Sequence, residues 1–364
     1  MALPITDIRV INQLWVHANS KVDSVIQDTW TQGTNLLAFM NNEKYAGAKV
    51  KQLVDGGVDL RTPIEYRPGV ASNFYGFSTY PLTAVDAETQ GIWYWRGIVV
   101  PIGVALTELL LTNGEKTAVQ KLVESKIGNG MRTMRQRITL EMLQGNRGPG
   151  PGFVLGAGTQ IDGLEYALNY INNANDGYAG WDKSTDLQVR HEVHDVGVSF
   201  TMTGGVVTTE PLCEALDDHM MTVTHGMGVE GQVTLLVASR MAIRYLVQRA
   251  RFGGLVQMVV NQNLVDLGIK CAEYGGVPVI WEPALDTNLA GEFGVETDAC
   301  IYGLNTRYME LAVHSQADMK RSELEKIQGQ EAFTSRMIWL GNLRIKNPRH
   351  FFTLFNIVAP TIVP

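Results

Sequence analysis

The clearest hydrophobic pattern in the chain predicts a long α-helix over residues of about 113–144. Apolar residues recur there at steps of three or four, which is the spacing of one face of an α-helix: Val119, Val123, Ile127, Met131, Met134, Ile138 and Met142. Thr112 and Glu115 have the spacing of a capping box, and no proline follows before residue 144. About 32 residues would form a rod of roughly 48 Å, which is longer than most globular helices. Gly128 and Gly130 predict either close packing or a bend in its middle.

A segment rich in aromatic residues, threonine and valine precedes this helix, at residues 67–100. Its pattern predicts two strands, at 72–80 and 91–100, with a polar centre between them. Because a two-stranded ribbon is only marginally stable alone, we expect it to rest on another surface, such as a second chain. The candidate inter-subunit contacts on it are the aromatic residues Phe74, Tyr75, Phe77, Tyr80, Trp93 and Trp95.

Residues 1–45 have apolar side chains at loosely helical spacing among polar ones, and they lack strand alternation. Such a segment cannot bury its own tryptophans, so we expect it to be an arm that lies on its own body or on a neighbouring subunit. Trp15 and Trp30 are therefore further candidate contacts.

The second half of the chain alternates between helix and strand patterns. After a glycine-rich loop at 145–158, the pattern predicts an α/β subdomain over about 165–310. Its predicted elements are a helix that opens at 209–211, a buried strand QVTLLVAS, a helix capped by Ser239 and the short strands GVPVI and DACIYGL. The last stretch, 337–358, predicts strands around an Asn-Pro turn that return towards the long helix.

Composition fits a globular protein with two substantial substructures. The chain has 364 residues, of which 18% are charged and 45% hydrophobic, and no disorder is indicated. Its net charge of −7 provides no overall positive field, which argues against a dedicated nucleic-acid-binding protein. The best local basic strip is Arg132, Arg135 and Arg137, and on a long helix we interpret it chiefly as a solvated face.

No targeting, disulfide or membrane signal stands out. Cys213, Cys271 and Cys300 are odd in number and far apart, which indicates a reducing compartment. The N-terminus lacks the pattern of a signal peptide. The most apolar run, at 97–111, is interrupted by Pro101 and Glu108 and is too short to predict a membrane span.

The most enzyme-like cluster is HEVHD, which contains His191, Glu192, His194 and Asp195. A zinc peptidase needs HExxH on a helix, whereas this histidine pair is one residue too close and lies in a strand-like context. Residues three apart in a strand face opposite sides. We predict no catalytic, cofactor-binding or metal-binding residues and no enzymatic activity; a soluble metal-dependent enzyme that uses His191 and His194 is the distant alternative.

The order of these segments resembles the Hong Kong 97-type major capsid proteins of tailed bacteriophages. The tract GEKTAVQKLVESKIGNGMRTMRQRITLEMLQG is similar to the spine helix of that family, and IDGL at 161–164 is similar to a recurrent tract. QVTLLVASRMAIRYLVQRARF resembles the strand-helix unit of the axial domain, and LRIKNPRHFFTLF resembles the closing strands of the peripheral domain.

The resemblance implies an α+β fold with four parts. Residues 1–45 would be the N-terminal arm and 67–100 the extended β-ribbon loop. The peripheral domain would comprise 46–66, 101–165 and 311–364, with the spine helix, and the axial α/β domain would comprise 166–310.

The function implied is the assembly of hexamers and pentamers into an icosahedral shell. That shell encloses double-stranded DNA without sequence-specific binding, without a cofactor and without a membrane. The implied partners are scaffolding and portal proteins and, in some relatives, a cement protein. The implied location is the virion, after assembly in the host cytoplasm. An encapsulin-type nanocompartment is the alternative.

Two features of the sequence refine this expectation. Some relatives lock the shell with a bond between a lysine of the extended loop and an asparagine of a neighbour, but no lysine occurs between Lys51 and Lys116 here. We therefore predict a shell without that crosslink. A long charged N-terminal extension is also absent, so assembly would need a separate scaffolding protein, or the chain is a processed form.

Overall fold

A computed structural model of the chain describes the architecture of most of its second half and of parts of its first half. The described residues are 35–40, 50–65, 73, 88–105, 116–145, 159–168, 178–181, 189–203, 206–224, 228–253, 271–283, 285, 299–323, 325–326 and 332–363. Several predictions lie outside these residues: the arm up to residue 34, the capping box, the side chain of Val119, most of the glycine-rich loop, and the contacts Trp15, Trp30, Phe74, Tyr75, Phe77 and Tyr80.

The described residues contain both helices and strands. The helices are α1 (Asn35–Met40), α2 (Lys116–Gln144), α3 (Leu164–Ala167), α4 (Pro211–Thr222) and α5 (Arg240–Gly253). The strands are β1 (Lys51–Val54), β2 (Asp59–Glu65), β3 (Glu88–Tyr94), β4 (Arg96–Ala105), β5 (Glu192–Val198), β6 (Thr201–Thr203), β7 (Val206–Thr209), β8 (Leu235–Ala238), β9 (Cys271–Tyr274), β10 (Val277–Trp281), β11 (Ala299–Leu304), β12 (Met309–His314), β13 (Lys320–Arg321), β14 (Glu325–Lys326), β15 (Ala332–Ile345), β16 (Phe352–Val358) and β17 (Thr361–Val363). Among these helices none is long and apolar enough to cross a bilayer.

The first large sheet is built around β15, which has 14 residues. β15 pairs in antiparallel register with β12, β13, β14 and β4, and β1 extends the sheet in parallel to β12. Even-numbered residues of β4 and odd-numbered residues of β15 share one face, which contributes Ile98, Ile102, Val104, Met337 and Trp339 to the core. This face carries the long helix.

Helix α2 spans 29 residues, or about 44 Å, and packs on that sheet. The predicted apolar positions with described side chains are buried, with exposed fractions of 0–3%: Val123, Ile127, Met131, Met134, Ile138 and Met142. The close approach predicted near the two glycines occurs at Gly130, where a Cβ atom would lie 3.0 Å from Ile102 Cγ1.

The second large sheet has the order β5-β16-β11-β8-β10-β9. Its central strands are those predicted from QVTLLVAS, GVPVI and DACIYGL, and β8 is buried at every position. Helix α4 begins at Pro211, as predicted, and the Ser239 hydroxyl accepts a hydrogen bond from the Cys300 N–H at 3.3 Å just before α5. A third, small sheet has the order β17-β6-β7. Its strands follow β5 and β16 directly along the chain.

The closing strands differ from the prediction. β15 returns to the long helix as expected, but β16 lies in the second sheet, parallel to β5 and antiparallel to β11. The Asn-Pro turn separates them: Asn347 Oδ1 accepts a hydrogen bond from the Arg349 N–H at 3.3 Å, and a 3-10 turn follows at Pro348–His350. Residues 352–358 therefore complete the α/β sheet and belong to its core.

The ribbon also differs in its partner. β3 pairs with β2 over seven positions, from Asp59 opposite Tyr94 to Glu65 opposite Glu88. The strand predicted at 72–80 lies outside the described residues, apart from Asn73. β4 leaves the ribbon and joins the first large sheet. The single strand predicted at 91–100 is therefore divided between two strands, and its valine-rich part belongs to a sheet with a buried face. The loop limits of 67–100 stay a prediction.

Candidate assembly surfaces

The base of the ribbon is anchored in its own chain. Trp93 is 1% exposed and packs edge-on against Tyr178 and Trp181, at ring-centroid distances of 6.2 and 5.6 Å. Gly91 is required beside it, since a Cβ atom there would lie 2.5 Å from the Trp93 ring. The prediction of Trp93 as an inter-subunit contact is wrong for this conformation, because its side chain has almost no surface left.

Trp95 is fixed to the body in a different way. Its indole N–H donates to the Gly57 carbonyl at 2.9 Å, and its ring packs against His314 at 5.5 Å. The side chain remains half-buried, so part of its surface is still accessible. Its role as an inter-subunit contact stays a prediction.

The outer part of the ribbon is less covered by the described residues than its base is, although Ile64 is half-buried against the core. None of residues 62–65 and 88–90 is buried. Glu65 and Glu88 lie directly opposite each other in the register, and both are exposed. Like charges at such a pair of positions destabilise an isolated ribbon, and a cationic surface beside them would remove that cost.

A buried polar cluster lies at the junction between β3, which belongs to the ribbon, and β4, which belongs to the first sheet. Asn342 is 0% exposed and donates to the Tyr94 carbonyl at 2.9 Å and to Asp162 Oδ2 at 2.6 Å. Its own Oδ1 accepts from the Asp162 N–H at 2.9 Å, and Arg96 lies 3.7 Å from the Asp162 carboxylate. This cluster ties the turn between β3 and β4 to β15 and to the IDGL tract. The sequence indicated the IDGL tract but did not indicate Asn342 as its partner.

Two groups of exposed apolar side chains lie on surfaces that assembly could bury, and Val198, Trp281 and Ile362 are exposed elsewhere. The first is the ribbon and the adjoining sheet, with Leu53 61%, Val58 94%, Tyr94 56% and Val99 55% exposed. The second is the end of α4 and the turn after it, where Met221 and Val229 are 73% and 67% exposed. Single exposed apolar residues are ordinary, but neighbouring ones offer surface that a second molecule can bury.

The HEVHD cluster lies on a strand, as predicted, because β5 begins at Glu192. His191 is 1% exposed whereas His194 is exposed, so the two side chains point to opposite sides. His194 instead faces His219 of α4, at a ring-centroid distance of 5.1 Å. Over the described part of the chain, no three His, Cys, Asp or Glu side chains are grouped to hold a metal ion.

Two buried histidines predict that the protein loses stability in mild acid. Burial lowers the pKa of His219, and the neighbouring His194 lowers it further; burial also lowers the pKa of His350, although its ring contacts the Val223 carbonyl at 2.7 Å. The ordinary histidine pKa is about 6.5. The unfolded chain therefore binds more protons below that pH, and the free energy of unfolding falls as pH falls through it.

Urea denaturation at neutral pH and at about pH 5.5 measures this dependence, since one condition lies above the histidine pKa of the unfolded chain and the other lies below it. The His219→Asn/His350→Asn variant should show a shallower fall between the two conditions than the unaltered chain, whatever its absolute stability. An equally steep fall in the variant would assign the pH dependence to other groups.

The comparisons with known proteins give a fold and no family assignment from sequence. No protein-family model matches the chain, and no curated protein matches it. The capsid asymmetric unit of cyanophage A-1(L) matches with a TM-score of 0.56 and 16% identity, over 85% of this chain and 89% of that chain. The capsid of a native GTA particle matches with a TM-score of 0.51 and 8% identity, over 85% and 89%.

The holo-SrpI encapsulin complex of Synechococcus elongatus PCC 7942 also matches, with a TM-score of 0.48 and 11% identity, over 85% of each chain. At these identities the matches describe architecture. The chain has the α+β Hong Kong 97-type fold of tailed-phage capsid subunits that its sequence predicted.

Proposed function

We propose that the chain is a major capsid protein that assembles through hexamers and pentamers into an icosahedral shell around double-stranded DNA. The observation that carries the proposal is the β2–β3 ribbon, whose base is buried in its own chain while no described residue of its outer part is fully buried. The capsid-type fold supports the same function.

The outer ribbon is suited to lie on a neighbouring subunit. A two-stranded ribbon contributes little stability alone, and the paired carboxylates of Glu65 and Glu88 weaken this one further. A cationic surface on the next copy would offset the repulsion. The α/β sheet would then surround the axis of each capsomer and bring Met221 and Val229 of adjacent copies together.

The partners and the location follow from this role. Scaffolding and portal proteins would direct closure of the shell, and a cement protein would be an additional stabiliser. The assembled product would be the virion capsid, formed in the host cytoplasm. The chain itself would have no enzymatic activity.

Negative-stain microscopy and sedimentation of the purified chain test the proposal. We expect capsomers or closed shells, with or without added scaffolding protein. A monodisperse species of 40.2 kDa under all assembly conditions would contradict it. Uniform small shells that copurify with an enzyme cargo would instead indicate an encapsulin, and a stoichiometric metal on a small oligomer would indicate an enzyme.

A pair of charge-reversal variants tests the ribbon itself. Glu65→Lys/Glu88→Lys should leave the monomer folded but reduce the assembled fraction, because the outer ribbon would then repel a cationic neighbour. Glu323→Lys/Glu325→Lys is the matched control, since it reverses two exposed carboxylates that are two positions apart in the chain, in β14 and just before it. Equal assembly by both variants would remove the ribbon from the proposed interface.

The shell should be free of lysine-dependent crosslinks in the ribbon. No lysine lies between Lys51 and Lys116, so the ribbon has no amine to form an isopeptide bond. Particles boiled in detergent should give one band near 40.2 kDa on a denaturing gel. A ladder of multimers would show that another residue forms a covalent link.

A further inference from the structure

A groove of about 640 Å³ lies between helix α2 and strand β4. Residues 100–103 of β4 line one side of the groove. The helix side is lined by Ser125, Lys126, Asn129, Arg132 and Thr133, together with the backbone at Gly130. Among the described residues, the groove therefore presents two cations and three hydroxyl or amide side chains, and none of its described lining residues is a carboxylate.

This local charge departs from the rest of the molecule. The chain carries 37 acidic against 30 basic residues, so a patch whose described lining residues are all cationic or neutral is an exception. The basic strip read from the sequence is divided in the structure: Arg135 is 9% exposed, and Arg137 is paired with Glu141 at 2.5 Å. Arg132 is exposed and lines the groove.

The lining residues are of the types that bind the backbone of nucleic acids. Arginine, lysine, serine, threonine and asparagine supply most protein contacts to DNA phosphates, and those contacts carry no sequence information. From Ser125 to Thr133 the helix rises about 12 Å, and one DNA strand has a phosphate for about every 3.4 Å of duplex axis. The wall can thus reach a few successive phosphates.

The strand side of the groove favours nucleic acid over an extended acidic peptide. A peptide would bind here by adding a strand to β4, but Pro101 has no N–H to offer and interrupts the ladder. A phosphate backbone needs no such ladder. Gly103 leaves open space on its Cβ side, with no atom within 4 Å of the position, so a bulky backbone can approach.

We propose that this groove binds the phosphate backbone of the enclosed double-stranded DNA, with Arg132 and Lys126 as the cationic contacts. The inference rests on the proposed function, and it identifies the α2 face of the first sheet as the face directed towards the shell interior. The described lining of each groove supplies two cations, so one site binds weakly, and its affinity falls further as the salt concentration rises. Repetition over the shell would hold the outer layer of DNA without fixing its sequence.

Fluorescence anisotropy of a short duplex of mixed sequence, titrated with the unassembled full-length chain over a range of salt concentrations, tests the proposal. The Lys126→Ala/Arg132→Ala variant should bind more weakly at low salt, and the slope of log K against log salt should fall by about 2 in magnitude. Arg132→Lys should retain binding. The matched control is Lys320→Ala/Arg244→Ala, which removes two exposed cations from β13 and α5 and should leave the slope unchanged.

Three results would overturn the inference: no duplex binding by the unaltered chain, equal losses in the variant and the control, or binding of polyglutamate but not DNA. Microscopy of the same preparations separates this inference from the proposed function. Shells that still form from the Lys126→Ala/Arg132→Ala variant leave the capsid function standing, whatever the DNA titration shows.

Discussion

Replacing Trp93 with alanine is expected to lower the free energy of unfolding by about 3–5 kcal/mol, the usual cost of emptying a buried aromatic site. The side chain is 1% exposed and lies between Tyr178 and Trp181, so its removal opens a cavity at the base of the ribbon. Urea denaturation of the unassembled chain measures the loss. The assembled fraction should fall as well, because the ribbon would lose its anchor.

Tyr94→Ala is the matched control for that experiment. Tyr94 is the next residue on the same strand and points the other way, with 56% of its surface exposed and its ring 5.8 Å from the Arg96 guanidinium. Its loss should cost less than about 1 kcal/mol. A similar loss of stability in both variants would mean that the base of the ribbon is not packed as described.

The long helix and its buried face could be predicted from the sequence because helical periodicity is local. Steps of three and four residues placed Met131, Met134 and Ile138 on one face before any partner was known. The same arithmetic also places Arg135 on that face, and the structure buries it there. The burial of Arg135 was not predicted, because Arg132, Arg135 and Arg137 were grouped by charge and not by their positions around the helix.

Strand partners could not be predicted in the same way because pairing is not local. The inner strand of the ribbon, β2, contains Asp59, Arg61, Pro63 and Glu65 and has little of the apolar character expected of a strand. β15 and β16 are separated by only a short turn and are both apolar, yet they lie in different sheets. The composition of each strand is compatible with either sheet, so only the three-dimensional arrangement determines which sheet each strand joins.

The ribbon anchor was missed for a related reason. Trp93 looked like an exposed aromatic on a ribbon, since its partners Tyr178 and Trp181 are more than 80 residues further along the chain. Gly91 was the available signal: a glycine two positions before a tryptophan on a strand indicates a ring lying over the backbone. The role predicted for the outer ribbon, as a contact between subunits, stays a prediction.

A second large effect is expected at the buried ion pair between β12 and β15. Glu310 and Arg344 are direct partners in the register, both are buried, and Lys346 lies 2.6 Å from the second carboxylate oxygen of Glu310. Burial lowers the pKa of Arg344, and it also lowers the pKa of Lys346. Glu310→Ala would leave Arg344 without its counter-charge in the core, at a cost of about 3–5 kcal/mol.

The double replacement Glu310→Leu/Arg344→Met should be far less damaging than Glu310→Ala, because two apolar side chains carry no desolvation cost and Lys346, which is 32% exposed, can turn to solvent. Denaturation of Glu310→Leu, Arg344→Met and the double variant forms a double-mutant cycle that isolates the coupling of the pair. Additive losses would mean that the two charges do not interact. The β12–β15 register would then depend on its apolar neighbours, Leu311 and Leu343, which are paired one position further along.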